Sequence, residues 1–534
     1  MTARSCALAD VQSQTIGNQI ETKMRTLASC GKPAIEIELG GSHGVHGKWV
    51  TSYSTMDTIK GTVSVVAPHD TPFEDIEIAF VGTIQVYVDR ATPTPSITGR
   101  TEATHRFLTQ KQPIENTEFP YPRKLLANKK YVFPFTFTVP AQLLPKACSH
   151  NVSSDAVRHN HLMLPPSMGD PDVAGFGTTL LDDLAPEMTK VVYMIRVRIL
   201  QEGKSFPLLV EKTKKVRVKP AFEEQPPLTV SNDDAEYRLR HEKSIKKGLF
   251  KGKLGTLTAE SAQPKPLVIP GARSTNNCRI TTMAKLFLRF DPADESHDPP
   301  SLGSVKSKIK VTTYYASAPR KDFPIRSALA YDVAQGVYQT TLPLSTLCIA
   351  SAKWTKHSSD SNPNPFPRRD SCLSDRSSLS HTSLSACNIP TPAQDYKGGI
   401  FYTAAILVPI ALPLNKNFLP TFHSCLVSRV YVLSLQLSLS TPGSSAIVGS
   451  STMSLRVPVQ ICAEGSDEGM ANARVRAAEE RVGEEMVEEE VFMRAMSLGL
   501  PPSVGGGGGV EEEPPEYGAV RSVGRYRTTV TVVT

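Results

Sequence analysis

The clearest chemistry in this chain lies near its C-terminus, in Pro514-Pro515-Glu516-Tyr517. Consecutive prolines pre-set the backbone to polyproline II, so little entropy is lost when they dock into an aromatic-lined groove. In the mode used by WW domains, the prolines fill that groove and the Tyr517 ring enters a neighbouring pocket. Glu511, Glu512 and Glu513 keep the segment solvated, and the run from Gly505 to Gly509 supplies reach without fixing geometry. A motif of four residues also arises by chance, and an incidental proline pair in an acidic tail is the competing reading.

A second group is basic. Arg238, Arg240, Lys243, Lys246, Lys247, Lys251 and Lys253 crowd together, with Glu242 the only acid between Arg238 and Lys253. Such density attracts anionic lipid head groups, at about 1 kcal/mol per residue near the surface. It equally suits the acidic segment of a partner protein, the chain's own acidic tail, or a solvated charged linker. Arg368-Arg369-Asp370-Ser371 is an Arg-Arg-x-Ser sequence of the sort basophilic kinases accept. Phosphate on Ser371 would add about −1.5 to −2 charges beside two arginines, against the alternative of an unused serine.

Other candidates fail on spacing. His150, His159 and His161 suggest metal, but no Cys or acidic partner is evident at zinc-ligand spacing, so they read as a polar loop and no metal is assigned. Gly41 to Trp49 resembles a phosphate loop, yet Ser42 stands where a glycine is required and Trp49 where a magnesium-binding hydroxyl belongs. No nucleophile elbow, HExxH or Rossmann fingerprint is present, and neither a catalytic site nor a cofactor is expected.

The elements that must position these residues are strands. Ile35, Ile37 and Leu39 alternate with Glu36 and Glu38; Ile76, Ile78, Phe80, Gly82, Ile84, Val86 and Val88 form one unbroken row. Tyr131, Phe133, Phe135 and Phe137 make another, in which Pro134 predicts an edge or a bulge. The row from Val191 to Ile199 places Arg196 and Arg198 outward. A later set runs through Leu286, Leu288 and Phe290, then Ile309 to Tyr315, Tyr431 to Leu439, and Leu455 to Ile461. Each row puts its apolar side chains on one sheet face, as a half-buried antiparallel strand requires.

Charge divides the chain as well. The formal net charge is +7, but from Glu464 onward there are 7 Arg, no Lys and 14 acids, a net of −7. The 52 basic and 38 acidic residues before that point leave a body at +14. Such a body suits an anionic membrane surface or nucleic acid, or is simply solvated. The nine cysteines are scattered with no CxxC pair, which reads as reduced thiols in a cytosolic protein. The stretch Met1 to Cys30 lacks an apolar signal-peptide core, and Ile400 to Leu414 is too short to span a membrane as a helix.

Specific motifs add a resemblance. Val139-Pro140-Ala141-Gln142-Leu143-Leu144-Pro145, followed by His161-Leu162-Met163-Leu164-Pro165-Pro166-Ser167, resembles the N-terminal domain of fungal arrestin-like proteins. Leu419-Pro420-Thr421-Phe422-His423-Ser424-Cys425, with Ser428-Arg429-Val430-Tyr431 and the closing strand Leu455 to Ile461, resembles the late part of the arrestin C-terminal domain. The resemblance to α-arrestins spans roughly residues 33–463. It implies an all-β fold of two tandem immunoglobulin-like β-sandwich domains and no catalytic site. It also implies an adaptor that recruits a HECT-type ubiquitin ligase with WW domains to the cytoplasmic segments of membrane transporters or receptors, for ubiquitination and endocytosis.

The expected organisation follows. Residues 1–32 are an N-terminal extension, 33–220 the first sandwich, 221–264 a basic inter-domain connection, and 265–463 the second sandwich with a Ser-rich insertion at 356–391. Residues 464–534 form a mobile acidic tail, with a helical stripe between Gly469 and Leu500 and one PPxY copy where family members often carry several. The expected place is the cytoplasm, peripheral to the plasma membrane or endosomes, with no nucleic-acid partner. The alternatives are a ligase-independent trafficking scaffold of arrestin fold and a DNA-binding β-protein.

Overall fold

The alternating rows become strands, and the strands form several open sheets with no barrel. The structure is a computed structural model. It describes residues 31–40, 52–90, 99–174, 181–201, 208–231, 234–247, 252–272, 279–358, 389–393, 396, 398–441 and 450–478. The chain up to Gly469 makes one compact unit, mostly β, with two apolar cores, each built mainly from one half of the sequence.

The first half contains β1 (Ala34–Leu39), β2 (Ser52–Tyr53), β3 (Thr58–Val66), β4 (Thr71–Pro72), β5 (Asp75–Arg90) and β6 (Gly99–Lys111). It continues with β7 (Lys124–Leu125), β8 (Lys130–Thr138), β9 (Thr189–Leu200) and β10 (Leu208–Val218). Sheet β1-β3-β8 packs against sheet β2-β10-β9-β5-β6. The Phe80 ring on β5 lies 6.0 Å from Phe137 on β8 and 5.9 Å from Tyr193 on β9. Phe80, Ile78, Ile84 and Val197 are fully buried, and each such side chain contributes about 1.5–3 kcal/mol relative to exposure. Pro134 does mark an edge: β8 is the outer strand of its sheet. Two residues on, the Thr136 backbone N–H donates to the Gln112 side chain at 2.9 Å.

The second half holds β11 (Arg240–Lys246), β12 (Lys253–Ser261), β13 (Leu267–Ile269), β14 (Thr281–Pro292), β15 (Ser301–Ala316) and β16 (Gln335–Cys348). It ends with β17 (Thr355–Ser358), β18 (Ile400–Ala411), β19 (Phe422–His423), β20 (Val427–Ser440), β21 (Ser450–Val459) and β22 (Ile461–Ala463). Sheet β11-β12-β14-β18-β17 and sheet β16-β15-β20-β19, with β21 on β20, enclose a core that includes Leu257, Phe290, Ile309, Leu433 and Val457.

Three expectations change. The segment 221–264 is not a connection throughout: β11 and β12 pair with each other, and β12 pairs with β14, so the basic residues lie largely on a hairpin of the second half. Alternate apolar spacing is weak on β11, where Ile245 alone is buried, and this hid the strand. Arg196 does not face water; it is buried, with a guanidinium nitrogen 3.6 Å from Glu77. Of the residues expected as a mobile insertion, 356–358 belong to β17, which pairs with β18; 359–388 lie outside the described residues.

Helices are few. Helix α1 (Asp155–Leu162) is capped by Ser154, whose hydroxyl accepts from Val157 N at 3.4 Å, and α2 (Pro171–Ala174) is a single turn. A third helix, α3, covers 467–478. Within the expected stripe Ala471, Val475 and Ala478 are exposed, while Val482, Met486, Met493 and Met496 lie outside the described residues. No helix of the described residues is long and apolar enough to cross a membrane.

Candidate functional site

Where the two halves of the first unit meet, they do so through polar groups as well as apolar ones. The short strand β19 and the turn into β20 enter the first core, to which Phe422, Cys425, Leu426 and Val427 belong. The turn is tied by Ser424, whose hydroxyl donates to Val427 O at 2.7 Å and accepts from Val427 N at 3.1 Å. Arg429 follows on β20 and is fully buried. Its guanidinium donates to the carbonyl oxygens of Asp183 (3.1 Å) and Leu184 (3.2 Å) in the first half. Gly169 positions that loop: at φ +69° its N–H donates to Asp183 Oδ2 at 2.7 Å, and a Cβ there would sit 2.2 Å from Thr189 O.

Cys425 faces the first half's only helix of two turns among the described residues. Cys148 ends a short 3₁₀ turn (Pro145–Cys148), His150 follows two residues later, and His161 sits near the end of α1. One ligand atom from each of Cys148, His150, His161 and Cys425 lies within 4.8 Å of all the others. Cys148 Sγ is 3.4 Å from His150 Nε2 and 3.6 Å from His161 Nδ1. Three of the four residues are buried and His150 is half-buried.

This overturns the reading of the histidines as a polar loop without cysteine partners. Cys148 stands two residues before His150, a Cys-x-His spacing that the sequence did contain. Cys425 could not be found by spacing, because it reaches the cluster from the other half. His159, one turn-face away on α1, is exposed and outside the cluster.

Charge is costly in this pocket. Burial pushes the His161 imidazole down to about 4, with His150, Arg320 and Arg158 adding to the effect. Burial also pushes the Cys425 thiol up to about 12, helped by neighbouring Cys148. His423 falls to about 3 through burial and then through Arg320 and His161. Arg320 is itself buried, which lowers it to about 10, and it donates to Ser428 Oγ at 2.9 Å and Leu426 O at 3.0 Å. Desolvation disfavours the charged forms of His161, His423 and Cys425.

The basic residues do not make one surface. Strand alternation sends Arg240, Glu242 and Lys246 to one side of β11 and Lys243 to the other. Arg240 is engaged by Glu242 at 2.5 Å and by the Thr391 hydroxyl, and Lys243 Nζ donates to Thr452 O at 2.8 Å. Arg238 joins a backbone bridge to Arg456, and its side chain is exposed. Lys246 and Lys253 are exposed and directly paired across the hairpin, with Lys247 half-buried beside them. Lys253 also lines a cleft of about 240 Å³ with Asp291, Asp294 and Glu295, acids that offset its charge. Because β11 is a sheet edge, lysines there also discourage pairing with another strand. Lys251, Ser371, Pro514, Pro515 and Tyr517 lie outside the described residues.

No protein-family model matches the chain, and no curated protein does.

Proposed function

We propose that the chain is an arrestin-like adaptor: two tandem immunoglobulin-like sandwiches engage the cytoplasmic segments of membrane cargo, and the tail recruits a WW-domain ubiquitin ligase. The observation that supports this reading is the two-cored, all-β unit, whose halves follow the order of the quoted motifs. The work is done by proximity. Holding ligase and cargo together raises the effective concentration of acceptor lysines, so a chain without catalytic groups accelerates their modification. Pro514, Pro515 and Tyr517 supply the ligase contact, and Arg238 and Lys246 offer exposed positive charge to an acidic cargo segment or an anionic membrane.

Affinity capture with the wild-type chain and with Tyr517→Ala tests the proposal. The expected result is that a WW-domain ligase is captured by the wild type and lost from the variant, while a membrane transporter or receptor is retained by both. Equal ligase capture by the two chains sinks the recruiting role of the Pro514–Tyr517 motif, and capture of no ligase by either leaves a scaffold that works without one.

A further inference from the structure

We propose that Cys148, His150, His161 and Cys425 form a structural zinc site that clamps the two halves of the chain together. Two thiols and two imidazoles are the donor set of tetrahedral zinc, and the softness of thiolate favours zinc over magnesium or calcium. With Zn–S near 2.3 Å and Zn–N about 2.0–2.1 Å, ligand atoms around zinc stand about 3.3–3.8 Å apart. The two contacts of Cys148, at 3.4 and 3.6 Å, already match that spacing. The widest separation is 4.8 Å or less, so closure asks for a contraction of no more than about 1.5 Å.

The surroundings orient the donors. His150 Nδ1 lies 3.1 Å from Asn151 O, which fixes the N–H on that nitrogen and leaves Nε2, the atom facing Cys148, free to bind metal. Arg158 donates to Cys148 O at 2.8 Å, and the Arg320 backbone N–H donates to Cys425 O at 2.9 Å. Both cysteine backbones are therefore held from outside the donor set. The charges also balance, since two thiolates neutralise one zinc ion among donors of which three are buried. Zinc displaces the thiol protons to solvent on binding, with no redox change.

Topology gives the site its consequence. Three ligands come from one short stretch of the first half, while Cys425 lies 278 residues after Ala147, whose carbonyl its sulfur approaches at 3.8 Å. Closing so long a loop through a metal constrains the unfolded chain and fixes the halves against each other.

Elemental analysis of the purified full-length chain, kept reduced, tests the site. About one zinc per chain is expected in the wild type and in His159→Ala, falling at least tenfold in Cys148→Ser and in Cys425→Ser. Because a serine variant that unfolds also loses its zinc, cobalt(II) exchanged into the wild type gives an independent reading. The expected spectrum has thiolate-to-cobalt charge transfer and the intense visible bands of a tetrahedral S₂N₂ site, unchanged in His159→Ala. A wild type that takes up neither metal, serine variants that keep their zinc, or a Cys148–Cys425 disulfide in the reduced preparation would each overturn the proposal.

Discussion

Arg429 has no carboxylate at ion-pair distance among the described residues, so its charge is met by the backbone carbonyls of Asp183 and Leu184. Replacing it with Met leaves two buried acceptors without donors, each worth about 1–3 kcal/mol, partly offset by removing a buried charge. Arg429→Met should therefore lower the unfolding free energy by a net of about 1–3 kcal/mol, read as a lower denaturant midpoint. Arg429→Lys should not restore it, because one ammonium cannot span the fork. Lys219 offers a pH test away from the junction. Burial, then Arg217, lowers it from 10.5 to about 8. Below about 8 both folded and unfolded chains carry the charge, and the folded state bears the full penalty. Between about 8 and 10.5 the unfolded chain binds the extra proton, so stability should rise with pH across that window. Lys219→Met should accordingly stabilise the chain by about 1–2 kcal/mol at pH 7, with the advantage fading by about pH 10.5 in urea titrations. A gain that stays constant with pH would mean that Lys219 does not titrate in this way.

At the scale of elements, strands such as β5, β8 and β20 were legible because period two puts every second side chain into a core, and their rows ran unbroken for four or more positions. Strand β11 was not legible. At a sheet edge only Ile245 is buried, and the basic residues around it mimic a linker. Arg196 was misplaced for a related reason: alternation predicts which face a residue occupies, but not whether something covers that face. Gly61 on β3 provides the element-scale prediction. Its β-strand neighbours come so close that an added Cβ would lie 2.3 Å from Glu38 O and 2.5 Å from the Phe135 ring. Glu38 is on β1 and Phe135 on β8, so the three-stranded sheet closes over this glycine from both sides. Gly61→Ala should cost about 1–3 kcal/mol through overpacking, measured by chemical denaturation. A neutral result would require the edge strand β8 to move outward without loss.

For the whole molecule, the split between a basic body and an acidic C-terminal stretch, plain in the sequence, does not predict how the first unit ends. The cluster at the junction was half legible: Cys148, His150 and His161 are neighbours in sequence, whereas Cys425 joins them only through tertiary folding. The same is true of the closing segment after β22, which returns to the first half. Ser466 donates to the buried carboxylate of Asp57, and Thr58 N donates to Glu468 Oε1 at 3.3 Å. Asp57 in turn accepts from Ser54 N at 2.7 Å, and its carbonyl accepts from Val139 N, so this last contact braces the bend before β3. Gly469 belongs to the same contact, since a Cβ there would lie 2.2 Å from Thr55 O. The acidic character of the segment is therefore partly structural, and its first residues act as a latch between the end of the second half and the start of the first. A chain ending at Gly469 keeps these bonds, and one ending at Gly465 loses them. The shorter chain should be less stable by about 1–3 kcal/mol, the cost of leaving buried hydrogen-bonding groups unmet. Because the lost contacts lie in the first half, protection of the Ser54 amide in hydrogen exchange should fall before that of strands in the second core. Identical stability and identical Ser54 protection in the two chains would show that residues 466–469 rest on the first half without holding it.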